Sequence, residues 1–323
     1  MALKLTYFGI SPPGLRFGVF LNTFKINFKI YEEHEMSQLG YRLHQMVNDT
    51  HRESSFSTRA TRSKVLNLAA TQLLSHGYRL RDPSGLKTKH INHLVSRWQD
   101  EGLAPKTIKN RMAALRWIAE KIGKPNICSR SNDDYGIPRV RNNPIGKSKT
   151  LDMDKHAKIK SDLIKLSLRL QQEFGLRKEE CMKFSLSYAL INANTLQIKG
   201  SWAKGGKYRT IPIRKESQRQ LIRDIAVVTK GALIEPDKTY KSQMEQYDRE
   251  TIRVGLNKNH GLRHHYARER YLELTGWKCP ADGGPHRKEL SPTDYEHDTK
   301  VREQISQELG HERLKITYAY LGS

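Results

Sequence analysis

From residue 36 to residue 124 the apolar positions recur every three or four residues, the spacing of one face of an α-helix. Val65, Leu66, Ala69, Leu73 and Leu74 form one stripe, and Gly77 follows it as a stop. Ile91, Leu94, Val95 and Trp98 form the next, ended by Gly102. Pro105 opens a third helix, at a position where its missing N–H costs nothing. Met112, Leu115, Ile118, Ala119 and Ile122 give that helix a buried side, and Gly123-Lys124-Pro125 ends it. The pattern predicts a small helical domain over residues 36–125. Residues 126–150 lose the periodicity and are rich in Gly, Pro, Asn and Ser, which reads as an extended linker. Helical spacing resumes near Met153 with Ile159, Leu163, Leu166 and Leu170. Gly175 closes that helix and Arg177 starts another. Short β-like runs, Thr195–Lys199 and Lys207–Ile213, then flank Gly205-Gly206, a hairpin signal. The expected fold is mainly α with a small antiparallel β-sheet. It divides into the helical domain and a second, mixed α/β domain over 151–323.

Residues 1–35 fit neither domain. Up to Tyr31 they hold no acidic residue and seven aromatics, and Pro12-Pro13-Gly14 breaks them early. They lack the cleavage site of a signal peptide. We expect an extension upstream of a true start at Met36.

Charge changes the picture next. Lys+Arg is 57 against 34 Asp+Glu, a formal net charge of +23. The excess is spread along the chain, so a polyanionic partner is expected, nucleic acid first. No helix carries one purely basic amphipathic face and no apolar run reaches eighteen residues, so no membrane partner is expected. The cysteines Cys128, Cys181 and Cys279 are odd in number and widely spaced, which argues against a disulfide framework. On the third helix, Lys106, Lys109, Arg111 and Arg116 stand on the outward side, and the first three are our candidate phosphate contacts. Lys207 and Arg209, in the second run of the hairpin, join them.

The candidate chemistry lies in four further segments. Arg177 stands in Gly175-Leu-Arg177, where its fork can point at a phosphate; a surface pair with Glu179 or Glu180 is the plainer alternative. Lys204 sits beside the Gly-Gly turn, where an ordinary exposed lysine is equally at home. His260 and Arg263 are three apart and share a helix face. His260 and His264, four apart, have a spacing that suits a metal, but no acidic or cysteine ligand matches them and HExxH is absent; Cys279 with His286 and His297 is a looser set, also discounted, so no metal is expected. The last segment, Leu309-Gly-His311 to Tyr320, offers a histidine and a tyrosine nine residues apart. Taken alone, Tyr320 reads as an anchoring aromatic.

Taken together, Gly-Leu-Arg177, a lysine in a hairpin, His260-x-x-Arg263, Leu-Gly-His311 and Tyr320 resemble the tyrosine recombinase (phage-type integrase) family, in order and in spacing. Ala104-Pro-Lys-Thr-Ile-Lys-Asn-Arg-Met-Ala-Ala-Leu115 also resembles the last part of that family's N-terminal core-binding domain. The likeness spans roughly residues 50–323. It implies a helical DNA core-binding domain over 36–125 and a catalytic domain over 151–323. It further implies a site-specific recombinase of a mobile element, acting on double-stranded DNA as a tetramer, in the cytoplasm at the nucleoid. An accessory DNA-bending or directionality protein belongs to the same expectation, and no cofactor is implied. By the resemblance, Arg177 and Arg263 clamp the phosphoryl oxygens, His260 is the base, and His311 bonds a non-bridging oxygen. Lys204, with Lys207 as rival, protonates the leaving 5′-oxygen, and Tyr320, with Tyr318 as rival, is the nucleophile. A phenol ordinarily ionises near pH about 10 and needs such help. A non-catalytic DNA-binding protein and a type IB topoisomerase-like enzyme are the other readings. Two departures stand out. Lys278 to Lys300, with Pro280, Gly283-Gly284-Pro285 and Pro292, reads as an inserted loop. Only three residues follow Tyr320, where many relatives carry a segment that docks on a neighbouring subunit, so assembly uses another contact or the chain is truncated.

Overall fold

Serine side chains start the first two helices. Ser37 accepts from the Gly40 amide at 3.1 Å to begin α1 (Gln38–Asp49), and Ser55 accepts from Thr58 to begin α2 (Phe56–Ser75). The computed structural model describes residues 37–140, 143–203, 205–311 and 313–323. The expected extension at 1–35 and Lys204 lie outside them. α3 (Thr88–Asp100) and α4 (Pro105–Lys121) follow, the latter opening on the predicted proline. Leu39, Leu43, Leu66, Leu73, Ile91, Leu94, Trp98, Met112 and Ile118 meet in one core. Trp98 donates its indole N–H to the Gln72 side chain at 2.8 Å, so the polar edge of a fully buried ring is satisfied. α1 lies within the stretch read as helical, though its stripe of Leu39, Leu43 and Val47 was not singled out.

The stretch after α4 is not an extended strap. Cys128 and Ile137 are buried in the helical core. Arg116 donates to the Ser129 carbonyl at 2.8 Å and to the Asn132 side chain at 2.9 Å, and so pins the chain back. Arg116 is therefore a brace rather than an outward basic residue. The chain divides into two compact units between residues 140 and 141, inside the segment read as a linker.

In the second unit, α5 (Met153–Ala157) is a short turn of helix. Ser161 caps α6 (Asp162–Phe174), which Gly175 ends in the left-handed conformation at φ +61°. α7 (Lys178–Lys183) and α8 (Leu186–Ala189) lead to β1 (Leu190–Asn192), β2 (Thr195–Ile198) and β3 (Arg209–Pro212). The sheet is antiparallel in the order β1-β2-β3, with Leu196 opposite Ile211 and Ile198 opposite Arg209. β1, three residues long and fully exposed, was too short to give an alternating signal. The β2–β3 connection is longer than a tight Gly-Gly hairpin, with a 3-10 turn at Gly200–Trp202.

α9 (Glu216–Val228) and α10 (Tyr240–Arg253) come next, then α11 (His260–Thr275). The segment read as an inserted loop is loop only in its first part. It forms 3-10 turns at Pro280–Asp282 and Arg287–Glu289, and from Pro292 it is already α12 (Pro292–Glu308), capped by Ser291 and opened by a proline at its first position. α13 (Tyr318–Leu321) ends the described chain's helices. α6, with α7, α9 and α11 packed against it, carries the main core, which joins Leu170, Phe174, Phe184, Leu196, Ile211, Leu221, Tyr266, Ile305 and Leu321. No described helix is long and apolar enough to cross a membrane.

Candidate active site

The site is built around a buried carboxylate. Glu180, in α7, is fully buried and touches three arginines from three elements. Arg177, just before α7, donates to it at 2.7 Å. Arg209 of β3 grips both its oxygens, at 3.1 and 2.7 Å. Arg263 of α11 lies 4.0 Å away. Burial pushes the Glu180 carboxyl up, but Arg209, Arg263 and Arg177 outweigh it and hold it down at about 2. An ionised carboxylate thus sets the spacing of the guanidinium groups.

Arg209 was expected on a DNA-facing surface, and this must be corrected. It is 7% exposed, paired with Glu180, and donates Nε to the Glu308 carbonyl at 2.8 Å. Arg177 does pair with Glu180, as the plainer alternative had it, yet it stays part of the cluster, since its charge is felt at His260, Arg263 and His311.

Arg263 is 1% exposed. It donates to the carbonyls of Gly175 and Leu309, to His311 Nε2 at 3.1 Å, and from Nε to the Tyr320 hydroxyl at 3.2 Å. Burial lowers its pKa to about 10, so it remains a cation at neutral pH. Tyr320, in α13, is also buried. Its hydroxyl lies 3.5 Å from His260 Nε2, and its ring packs beside those of His264 at 4.4 Å and His311 at 5.3 Å between centroids. His260 stands exposed at the start of α11. Desolvation on its packed side, then the charges of Arg263, Arg177 and Lys147, lower its pKa. Desolvation and the nearby arginines bring His311 down to about 3, and desolvation with His260 and Arg268 does the same for His264. All three imidazoles are therefore neutral at pH 7. Because His311 Nε2 accepts from Arg263, Nδ1 carries the proton; it is buried and without a partner among the described residues.

An open groove of 650 Å³ runs past His311, lined by Lys207, Tyr208, Gly310 and Gln307 among others. Lys207 is exposed there. Tyr318 faces elsewhere: it accepts from Arg287 and has the Arg302 guanidinium 5.1 Å from its ring centre. The rings of His260 and His264 are 5.4 Å apart, but His264 packs at a tilt against Tyr320. Cys279 is buried against Asp282, and His297 bonds the Leu274 carbonyl. Among the described residues no three His, Cys, Asp or Glu side chains group as a metal site.

On α4, Lys106 is exposed and Lys109 half-buried. Arg111 departs from expectation: it lies half-buried with its guanidinium 5.0 Å over Trp98, and one of its nitrogens is buried. Its face is turned toward the core rather than outward. Sequence reasoning saw Glu180 only as a surface partner of Arg177 and gave His264 only a discarded metal role. For His264 the adjacency to Arg263 was a usable signal.

These residues come from the N-terminal, middle and C-terminal parts of the second unit. A family model described as phage integrase, N-terminal, matches residues 36–128, and one described as integrase matches 147–269, together about two thirds of the chain. No curated protein matches. Among solved structures, the site-specific recombinase XerH bound to a palindromic difH substrate in a post-cleavage complex is 17% identical with a TM-score of 0.54. The alignment covers 87% of this chain and 80% of that one. The integrase of the transposon Tn1549, in complex with circular intermediate DNA, is 13% identical with a TM-score of 0.55, over 87% of this chain and 95% of that one. The fold is that of these recombinases, and the chain belongs to the phage-type integrase family, the tyrosine recombinases.

Proposed function

We propose that this protein is a site-specific DNA recombinase that cleaves and rejoins strands through a 3′-phosphotyrosyl intermediate, serving the integration or excision of a mobile element. The observation that carries the reading is the Tyr320 hydroxyl, held at 3.2 Å by a buried cation, Arg263, and at 3.5 Å by a neutral imidazole, His260. A neutral His260 can accept the phenol proton as the oxygen attacks. The new Tyr320 O–P bond replaces the bond to the 5′-oxygen, which leaves as a hydroxyl after taking a proton from Lys204. The attack builds negative charge on the phosphoryl oxygens. Arg177, Arg263 and the unpartnered N–H of His311 meet it, in a pocket where such donors act strongly. The phosphodiester energy is kept in the tyrosyl ester, so the reverse attack by a 5′-hydroxyl reseals the strand without ATP.

Residues 36–125 serve in this reading as the core-binding domain, with Lys106 and Lys109 on phosphates, and Lys207 contacts DNA beside the groove. The DNA-bound states of the XerH and Tn1549 structures support double-stranded recombination sites as the partner. Assembly into a tetramer on DNA, help from a bending or directionality protein, and action at the nucleoid belong to the same proposal.

The test uses DNA flanking the gene, nicked near candidate sites so that a short 5′-hydroxyl fragment diffuses away. Wild-type protein should give a covalent adduct on a denaturing gel and Tyr320→Phe none. An adduct that persists in Tyr320→Phe and vanishes in Tyr318→Phe moves the nucleophile. Tight, salt-sensitive binding with no adduct leaves a non-catalytic DNA-binding protein. Relaxation of plasmids without any target site points to topoisomerase-like action.

A further inference from the structure

The segment between α11 and α12 makes contacts that the cleavage chemistry does not explain. Arg287, in its second 3-10 turn, is mostly buried. It donates Nη1 to the Tyr318 hydroxyl and Nη2 to Thr299 Oγ1 at 2.6 Å, and pairs with Asp298 at 2.6 Å. Its guanidinium also lies 4.1 Å over the Tyr295 ring. Asp298 is fully buried and holds Arg302 at 2.8 and 2.9 Å while accepting from Tyr271 at 2.6 Å. Arg302 passes the grip on, donating to the Gly322 carbonyl at 2.8 Å. Arg268 donates to the Tyr320 carbonyl at 3.1 Å and pairs with Asp282 of the first 3-10 turn. That turn cradles the same stretch of chain: a Cβ on Gly322 would meet Ala281 N at 3.0 Å and Pro280 Cβ at 3.1 Å. Three buried or mostly buried arginines, Arg268, Arg287 and Arg302, thus hold Tyr320, Tyr318 and Gly322, with Asp298 behind two of them.

α13 is a single turn, bonded from the amides of Tyr320, Leu321 and Gly322 back to Thr317 and Tyr318. One turn has little helical stability of its own. Its orientation must come from outside. Residues two apart on a helix lie about 200° apart around its axis, so a grip on Tyr318 fixes where Tyr320 points.

We infer that Arg287 is a positioning residue: anchored by Asp298 and Thr299, it holds the Tyr318 hydroxyl and so sets the rotation of α13 that presents the Tyr320 hydroxyl to Arg263 and His260 of the same chain. The 278–300 segment is then a clamp on the nucleophile, and Tyr318 is its handle. The inference deepens the proposed function and rests on Tyr320 as nucleophile, but the contact itself can be read without activity.

The test compares wild type with Tyr318→Phe, which deletes only the accepting hydroxyl, and with Arg287→Lys and Arg287→Ala. The first readout is hydrogen exchange of peptides covering 313–323, with α6 as internal reference. A hydrogen bond to a charged group is worth roughly tenfold or more in an opening equilibrium. Tyr318→Phe and Arg287→Ala should therefore speed exchange at the Tyr320, Leu321 and Gly322 amides about tenfold and leave α6 unchanged. The second readout is adduct formation at saturating nicked DNA. It should slow by a similar factor while DNA affinity stays within about twofold, and Arg287→Lys should recover part of the rate. Exchange in Tyr318→Phe equal to wild type overturns the clamp. Faster exchange with an undiminished cleavage rate overturns the positioning role. If even wild type forms no adduct, the proposed chemistry fails, and exchange alone decides the clamp.

Discussion

Neutral histidines packed among cations give the site a measurable cost in acid. His264 and His311 ordinarily titrate near 6.5 and are brought down to about 3 by burial and by their charged neighbours. Between those values the unfolded chain binds a proton at each site and the folded chain does not. Stability therefore falls as pH drops from about 6.5 toward about 3, by about 1.4 kcal/mol per pH unit for each such proton. His264→Phe keeps a ring on Tyr320 and loses no hydrogen bond from Nδ1, which has no partner among the described residues. Urea unfolding at pH 4, 5 and 6 should show a pH slope shallower by about 1.4 kcal/mol per unit in His264→Phe than in wild type. Equal slopes would mean that His264 is protonated in the folded protein. The residue scale also marks how far the chain itself could be read. Arg263, His311 and Tyr320 were legible from spacing and motif. Glu180 was not, because next to Arg177 it looks like half of a solvated pair. Its burial depends on Arg209 and Arg263, which only tertiary structure brings to it. Arg209 failed for another reason: the strand's alternation puts it on the face of Ile211 and Ile213, but its charge was read as a sign of exposure.

At the scale of elements, the junction between α6 and α7 governs the site. Gly175 turns the chain at φ +61° so that Arg177 follows at the start of α7, and its carbonyl accepts from Arg263. A Cβ there would meet Tyr266 Cδ1 at 2.5 Å, in a tightly packed part of the core. Gly175→Ala combines left-handed strain of about 1–2 kcal/mol with overpacking of about 1–3 kcal/mol. We expect a loss of about 2–5 kcal/mol in chemical unfolding, from those two terms, and a larger fall in adduct formation than in DNA affinity. A loss below about 0.5 kcal/mol, the range of an ordinary surface change, would show that the turn relaxes freely. The four long stripes that the sequence displayed became α2, α3, α4 and α6, although Leu74 of the first is exposed and Ile159 of the last precedes its helix. α1 lay within the stretch read as helical without its Leu39, Leu43 and Val47 stripe being singled out, and β1, three residues long, escaped notice. The 278–300 segment was read as loop from its prolines and glycines. Pro292 instead starts α12, since a proline at a helix's first position breaks nothing.

At the scale of the whole molecule, a formal net charge of +23 speaks to how DNA is found and held rather than to the fold. Not every cation counts toward that task. Arg116 is spent on the chain after α4, Arg111 on Trp98, and Arg209, Arg263, Arg268, Arg270 and Arg302 are buried in ion pairs or against carbonyls. The charges available to phosphates are therefore the exposed lysines more than the arginines, and Lys106 and Lys109 on α4 are the pair to test. Each phosphate contact releases condensed counterions and contributes about 0.9 to the slope of log K against log salt concentration. Lys106→Gln with Lys109→Gln should flatten that slope by about 1.8 and weaken binding to every duplex alike, without changing sequence preference. Arg111→Gln should behave oppositely, lowering thermal stability through its lost contact with Trp98 while leaving the slope nearly intact. Titrations of a fluorescent duplex between 50 and about 300 mM salt separate the two, the range in which such slopes are steep. A double variant that keeps the wild-type slope would remove α4 from the DNA-facing surface and move the phosphate contacts to other exposed lysines of the chain.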